Sequence, residues 1–98
     1  MIHLQLRSEY KVKGGKLIKV TLEVENDIIK KAVIAGDFFL YPEDAIERIE
    51  RALIGANLNS SNLKQIIAEA VRESGAQLLG FSVEDVAEAL KLASQSRV

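Results

Sequence analysis

One histidine, no cysteine and a few adjacent acids are the whole stock from which this sequence could assemble an acid–base, nucleophilic or metal-binding site. Such chemistry needs a titrating or nucleophilic group held against a partner. His3 falls on the polar side of an alternating N-terminal segment and has no second histidine with which to share a metal, so it reads as a surface residue. Glu43-Asp44 and Glu84-Asp85 each fall in the expected first turn of a helix, where negative charge complements the partial positive charge of the helix end without any catalysis. Gly14-Gly15-Lys16 has the composition of a phosphate contact, but a phosphate loop is a longer glycine-rich span that runs into a helix. This one runs into a strand and reads as a hairpin turn. No catalytic, cofactor-binding or metal-ligating residue emerges.

The segment Ala35-Gly36-Asp37-Phe38-Phe39 carries more information. Two of the three phenylalanines sit beside a glycine and an acid, which marks a junction where backbone geometry and burial are both specified. Gly36 and Asp37 read as a structural turn, the acid accepting hydrogen bonds from backbone N–H groups. Phe38 and Phe39 are expected to divide their roles. One ring anchors the first helix on the sheet and the other reaches the surface near Tyr41, so that Phe38, Phe39 and Tyr41 form the candidate partner interface.

Positioning these residues is the work of one domain spanning residues 1–98. With 48% hydrophobic residues, a chain of this length can bury one core without disulfides or a structural metal. Absence of cysteine excludes a thiol nucleophile, a disulfide framework and a cysteine zinc site. A net charge of -1 gives no overall attraction to polyphosphate, so nucleic acid is not the expected partner. No signal-like or membrane-spanning apolar run is present, and the expectation is a soluble, cytoplasmic protein with no membrane partner.

From Ile2 to Lys13 apolar residues alternate with His3, Gln5, Arg7, Glu9, Lys11 and Lys13, as in a half-buried strand. Gly14-Gly15 turns the chain into a second strand with Ile18, Val20, Leu22 and Val24 on one side. Asn26-Asp27 suits a two-residue hairpin loop into a third, Ile28 to Ala35. Its mixed parity predicts either burial on both faces or a bulge near Lys30-Lys31. Lys11, Lys13, Lys16 and Lys19 gather at the first turn, with Lys30 and Lys31 nearby. They read as a charged rim that discourages edge pairing.

Pro42 is placed at the first position of a helix with Ile46, Ile49 and Leu53 on its apolar face, Ala45 and Ala52 flanking them, and Gly55 capping its end. A second helix follows Asn59-Ser60-Ser61 with a stripe of Leu63, Ile66, Ile67, Ala70 and Val71 and ends at Gly75. Ser82-Val83-Glu84-Asp85 resembles a capping box, with Phe81 stapled onto Val86, and opens a third helix whose pattern is lost from Ala93. The fold class is α+β: a three-stranded antiparallel meander followed by three helices packed on one face.

The order of these features resembles the C-terminal accessory domain of lipoate-protein ligases. The resemblance runs from Tyr10 to Leu90. It is carried by the Gly14-Gly15 hairpin entering Leu17 to Val24, the strand exit Gly36-Asp37-Phe38-Phe39, the helix end Ala52-Leu53-Ile54-Gly55, and Gly80-Phe81-Ser82 opening the last helix. The family's arginine-rich and triple-glycine substrate motif, and its catalytic lysine, have no counterpart in this sequence. The resemblance therefore implies a non-catalytic accessory subunit, of the archaeal two-chain type, that joins a separate catalytic subunit. That catalytic subunit activates lipoate with ATP to lipoyl-adenylate and passes the lipoyl group to a lysine of an acceptor domain. Lipoate and ATP belong to the complex and not to this chain alone, and lipoyl acceptor domains are indirect partners. A chain that begins at Met1 and holds only this domain fits such a subunit. The rival reading is an independent α+β interaction or dimerisation module unrelated to lipoate.

Overall fold

The computed structural model describes residues 3–14 and 16–96; Met1, Ile2, Gly15, Arg97 and Val98 lie outside it, as does the side chain of His3. Strand β1 (His3–Lys11) pairs antiparallel with β2 (Leu17–Glu25), and β2 with β3 (Ile28–Gly36), in the order β1-β2-β3. Gly14 takes φ +106° in the first turn, where the Val12 N–H donates to the Lys16 carbonyl at 2.7 Å. Asn26 and Asp27 both have positive φ, the geometry that a two-residue hairpin needs to match the strand twist. Of the two predicted registers for β3, the bulge is the one realised. Glu23 faces Lys31 and Val24 faces Ile29, so Lys30 is the extra residue. The extra residue moves the inward parity from Ile29 to Ala32 and Ile34 and leaves both lysines exposed.

A short β4 (Phe39–Tyr41) follows, and after the helices of the middle it pairs antiparallel with β5 (Gln77–Leu79). This two-stranded ribbon is an addition to the expected meander. Pro42 does not open a helix. It sits in a turn in which the Ala45 N–H donates to the Pro42 carbonyl, and α1 (Ala45–Leu53) begins only after Asp44. The buried face of α1 is Ala45, Ile49 and Leu53, with Ile46 half-buried and Ala52 exposed, a correction to the expected flank. Each of Ile49 and Leu53, at 0% exposure, contributes on the order of 1.5–3 kcal/mol by burial. Gly55, at φ +88°, turns the chain so that its N–H reaches the Ile29 carbonyl at 2.8 Å.

Helix α2 (Leu63–Ser74) ends at Gly75 in the left-handed conformation, as its sequence predicts. Helix α3 (Val83–Ser94) starts at a complete capping box: Ser82 accepts from the Asp85 N–H while the Asp85 carboxylate accepts from the Ser82 N–H at 2.9 Å. It does not fray at Ala93, which is fully buried and keeps the last turn on the core. Helix α3 lies across β1 and β2, α1 lies against β3, and α2 packs on both of those helices. The core is Leu6, Ile18, Val20, Leu22, Val24, Ile29 and Ile34 from the sheet against Ile49, Leu53, Ile67, Phe81, Val86 and Leu90. Ser8 stands on the inward parity of β1, where its hydroxyl donates to the Ala89 carbonyl at 2.7 Å and ties the strand to α3.

Candidate functional site: the junction and the ribbon

Gly36 ends β3 at φ +156°, and a β-carbon there would overlap the Leu17 carbonyl oxygen. Only glycine lets the strand end come this close to the start of β2. Asp37 then clamps the same spot. Its N–H donates to the Leu17 carbonyl at 3.3 Å and its Oδ1 accepts from the Leu17 N–H at 2.6 Å. The acid thus fixes how the chain leaves the sheet and has no acid–base partner in these contacts.

The two adjacent rings point opposite ways. Phe38 is half-buried and packs on Phe81, with ring centroids 4.3 Å apart and planes tilted by 38°. An aromatic pair of this kind contributes about 0.5–1.5 kcal/mol beyond its burial. It also joins two segments far apart in sequence, Gly36-Asp37-Phe38-Phe39 and Gly80-Phe81-Ser82, at one place in the fold. Phe39 is 66% exposed and Tyr41 71% exposed. Leu79, 54% exposed, stands directly opposite Phe39 across the ribbon, and Gln77 opposite Tyr41. Leu40 and Leu78 face each other on the other side and pack against the core. Lys16 reaches over from the β1–β2 turn, its ammonium 5.5 Å from the Phe39 ring centroid and its stem beside Gly80.

Glu84 and Asp85 serve a helix end. Glu84 is held below the ordinary carboxylate range first by backbone hydrogen bonding at the N-terminus of α3, then by Lys64 at 3.2 Å. Asp85 completes the capping box, whereas Glu43 and Asp44 fall in the turn before α1 and not in its first turn as expected; Asp44 makes no side-chain cap, and the first-turn acid is Glu47. Among the described residues no group of three or more His, Cys, Asp or Glu side chains is placed to hold a metal, and no helix is long and apolar enough to cross a membrane. A surface depression of about 400 Å³ between α1 and α2 is lined by Arg48, Arg51, Ala52, Ala70 and Glu73, and one of about 310 Å³ beside the junction by Leu17, Lys19, Ala35, Gly36 and Asp37. Phe38, Phe39 and Tyr41 are the expected partner interface, with one of the two phenylalanines expected to anchor the first helix on the sheet; the inner ring is Phe38, and its ring partner is Phe81 just before α3. The structure separates Phe38 from the other two and adds Leu79 and Lys16, which only the pairing of β4 with β5 brings into place.

A small α+β domain in which Asp37 fixes a turn, Asp85 caps a helix and the largest exposed apolar side chains share one ribbon face has the make-up of an accessory or binding domain. Residues 2–90 match the family described as the bacterial lipoate protein ligase C-terminus, and this chain belongs to that family. It is 36% identical over 91 residues to lipoate-protein ligase A subunit 2 of Thermoplasma acidophilum, covering 93% of each. It is also similar to a chain in a solved structure of an archaeal lipoylation system from Thermoplasma acidophilum, comprising a bi-partite lipoate protein ligase and its E2 lipoyl domain. The TM-score is 0.80 at 35% identity, over 91% of this chain and 97% of that one.

Proposed function

We propose that this chain is the non-catalytic accessory subunit of a lipoate-protein ligase, acting in the cytoplasm with a separate catalytic subunit that activates lipoate with ATP to lipoyl-adenylate. The observation that carries this reading is the near end-to-end likeness to a protein that is itself named as one subunit of a ligase. The exposed ring face of Phe39 and Tyr41 supplies a contact surface for the catalytic subunit, and Phe38 supports it from beneath.

In this reading the chain contributes no nucleophile and no base. Docked beside the adenylating site, it orders loops around lipoate and ATP and excludes water, so that fixed dipoles of the catalytic subunit stabilise the developing charge. Rearrangement at the interface between activation and transfer would then let the acceptor lysine of a lipoyl domain approach.

The test is lipoate-dependent exchange of pyrophosphate into ATP by the catalytic subunit, with and without this chain. Exchange is expected to rise at least tenfold on addition of the chain, and the two are expected to co-elute on gel filtration. Unchanged exchange together with separate elution contradicts the proposal and returns the chain to an independent interaction module.

A further inference from the structure

Among the described residues the exposed large apolar side chains are Val33, Phe39, Tyr41, Ile54 and Leu79. Val33 and Ile54 stand apart on β3 and at the end of α1, whereas the other three share the outer face of β4–β5. Scaled from the size of aromatic and aliphatic side chains, the three present on the order of 300–400 Å² of apolar surface. One partner in a standard protein interface contributes about 800 Å². A contact centred on the ribbon therefore extends onto the ground beside it.

That ground includes the β1–β2 turn. Lys16 already lies over Phe39 and against Gly80, where a β-carbon would come 3.1 Å from its Cγ. Lys11 and Lys19 are exposed at the same end of the sheet, facing Leu17 and Ala35 across the strands, and Lys13 is exposed in the turn itself. The acids on this end of β1 and β2 and in the junction are Glu9, opposite Lys19, and Asp37, whose carboxylate accepts from the Leu17 N–H; Glu84 and Asp85 open α3 beyond Gly80, Glu84 being paired with Lys64 and Asp85 engaged in the capping box. Four lysines against two carboxylates make this end of the hairpin and junction basic in a chain whose net charge is -1. The excess is local, beside the apolar face, and nucleic acid is disfavoured by the acidic remainder.

We infer that the outer face of β4–β5 and the lysine-bearing end of the β1–β2 hairpin form one docking surface for the catalytic subunit, which meets it with an apolar patch rimmed by carboxylates. This rests on the accessory-subunit reading. The two parts have separate kinetic roles: the lysines steer the encounter and raise kon, while Phe39, Tyr41 and Leu79 exclude water at the centre and lower koff.

Surface plasmon resonance between the full chain and the catalytic subunit over a range of salt concentrations tests this. Two variants are compared with the wild type, Lys11→Glu/Lys13→Glu and Phe39→Ala/Leu79→Ala, each checked for native circular dichroism. All four side chains are exposed, so both variants should fold. The wild-type kon is expected to fall about tenfold or more from low to high salt. The lysine variant should lose about tenfold in kon at low salt, show a flatter salt dependence and keep its koff. The ribbon variant should raise koff about tenfold or more with kon little changed. A complex whose rates neither variant alters overturns the docking surface and leaves the accessory role standing. No complex with the wild type overturns both. Self-association lost in Leu79→Asp, or binding of a single-stranded oligonucleotide in place of the subunit, also overturns the inference.

Discussion

In the three-stranded sheet the apolar side chains other than Val33 mostly face the helices and the lysines and glutamates face water, whereas in the two-stranded ribbon Leu40 and Leu78 face inward and Phe39, Tyr41 and Leu79 face out. The edges differ in the same sense. The outer edge of β3 is engaged at two points and at its entry: the Ile34 N–H donates to Glu50 Oε2 at 2.7 Å, and the α1–α2 connection bonds at Ile29 and Asp27. Such contacts hinder a foreign strand from adding there. The ribbon carries no comparable charged face, and its outermost groups are large and apolar. The first region is covered by its own helices, and the second leaves its large apolar groups exposed, which is why it is the surface proposed to meet the catalytic subunit.

Changes at the boundary of the two regions break this comparison most severely. Gly36→Ala places a β-carbon on the Leu17 carbonyl and forces a backbone shift at both β2 and the exit from β3. A loss of about 2–4 kcal/mol in unfolding free energy is expected, read by urea denaturation. A loss below about 0.5 kcal/mol would mean that the junction is not the fixed point described above.

The adjacent rings sharpen the comparison on a finer scale. Phe38→Ala should cost about 2–3 kcal/mol of stability, less than a fully buried ring because Phe38 is only half-buried on Phe81. Phe39→Ala should cost under about 1 kcal/mol, the size of an exposed cation–π contact. Association with the catalytic subunit should reverse the order, with Phe39→Ala the more damaging per folded molecule. Equal stability losses would place both rings in the core and remove the distinction.

How far these regions could be read from sequence follows from the range of the interactions that make them. The meander depends on period-two alternation and on turn residues a few positions away, so the turns at Gly14 and at Asn26-Asp27 were legible, whereas the mixed parity of β3 left burial on both faces and a bulge equally open until its pairing with β2 decided for the bulge. The ribbon depends on two three-residue strands, Phe39–Tyr41 and Gln77–Leu79, that are separated by two helices and show no long pattern of their own. That one of Phe38 and Phe39 packs inward and the other is exposed was readable, but which ring is which was not, because adjacent side chains of an extended segment face opposite ways in either register. Their partners Phe81, Leu79 and Lys16 were not, because each contact is made in the tertiary fold. Pro42 and Ala93 misled for related reasons. A favourable first-turn residue was held in the preceding turn, and a small apolar residue at the chain end found a buried site.

Which face meets the catalytic subunit is measured directly by hydrogen–deuterium exchange of this chain, free and in complex. Slowed exchange is expected in segments 39–41 and 77–79 and around Lys16, with the amides of α1 and α2 unchanged. Protection confined instead to the face lined by Arg48, Arg51, Ala70 and Glu73, with the ribbon exchanging as in the free chain, would contradict it.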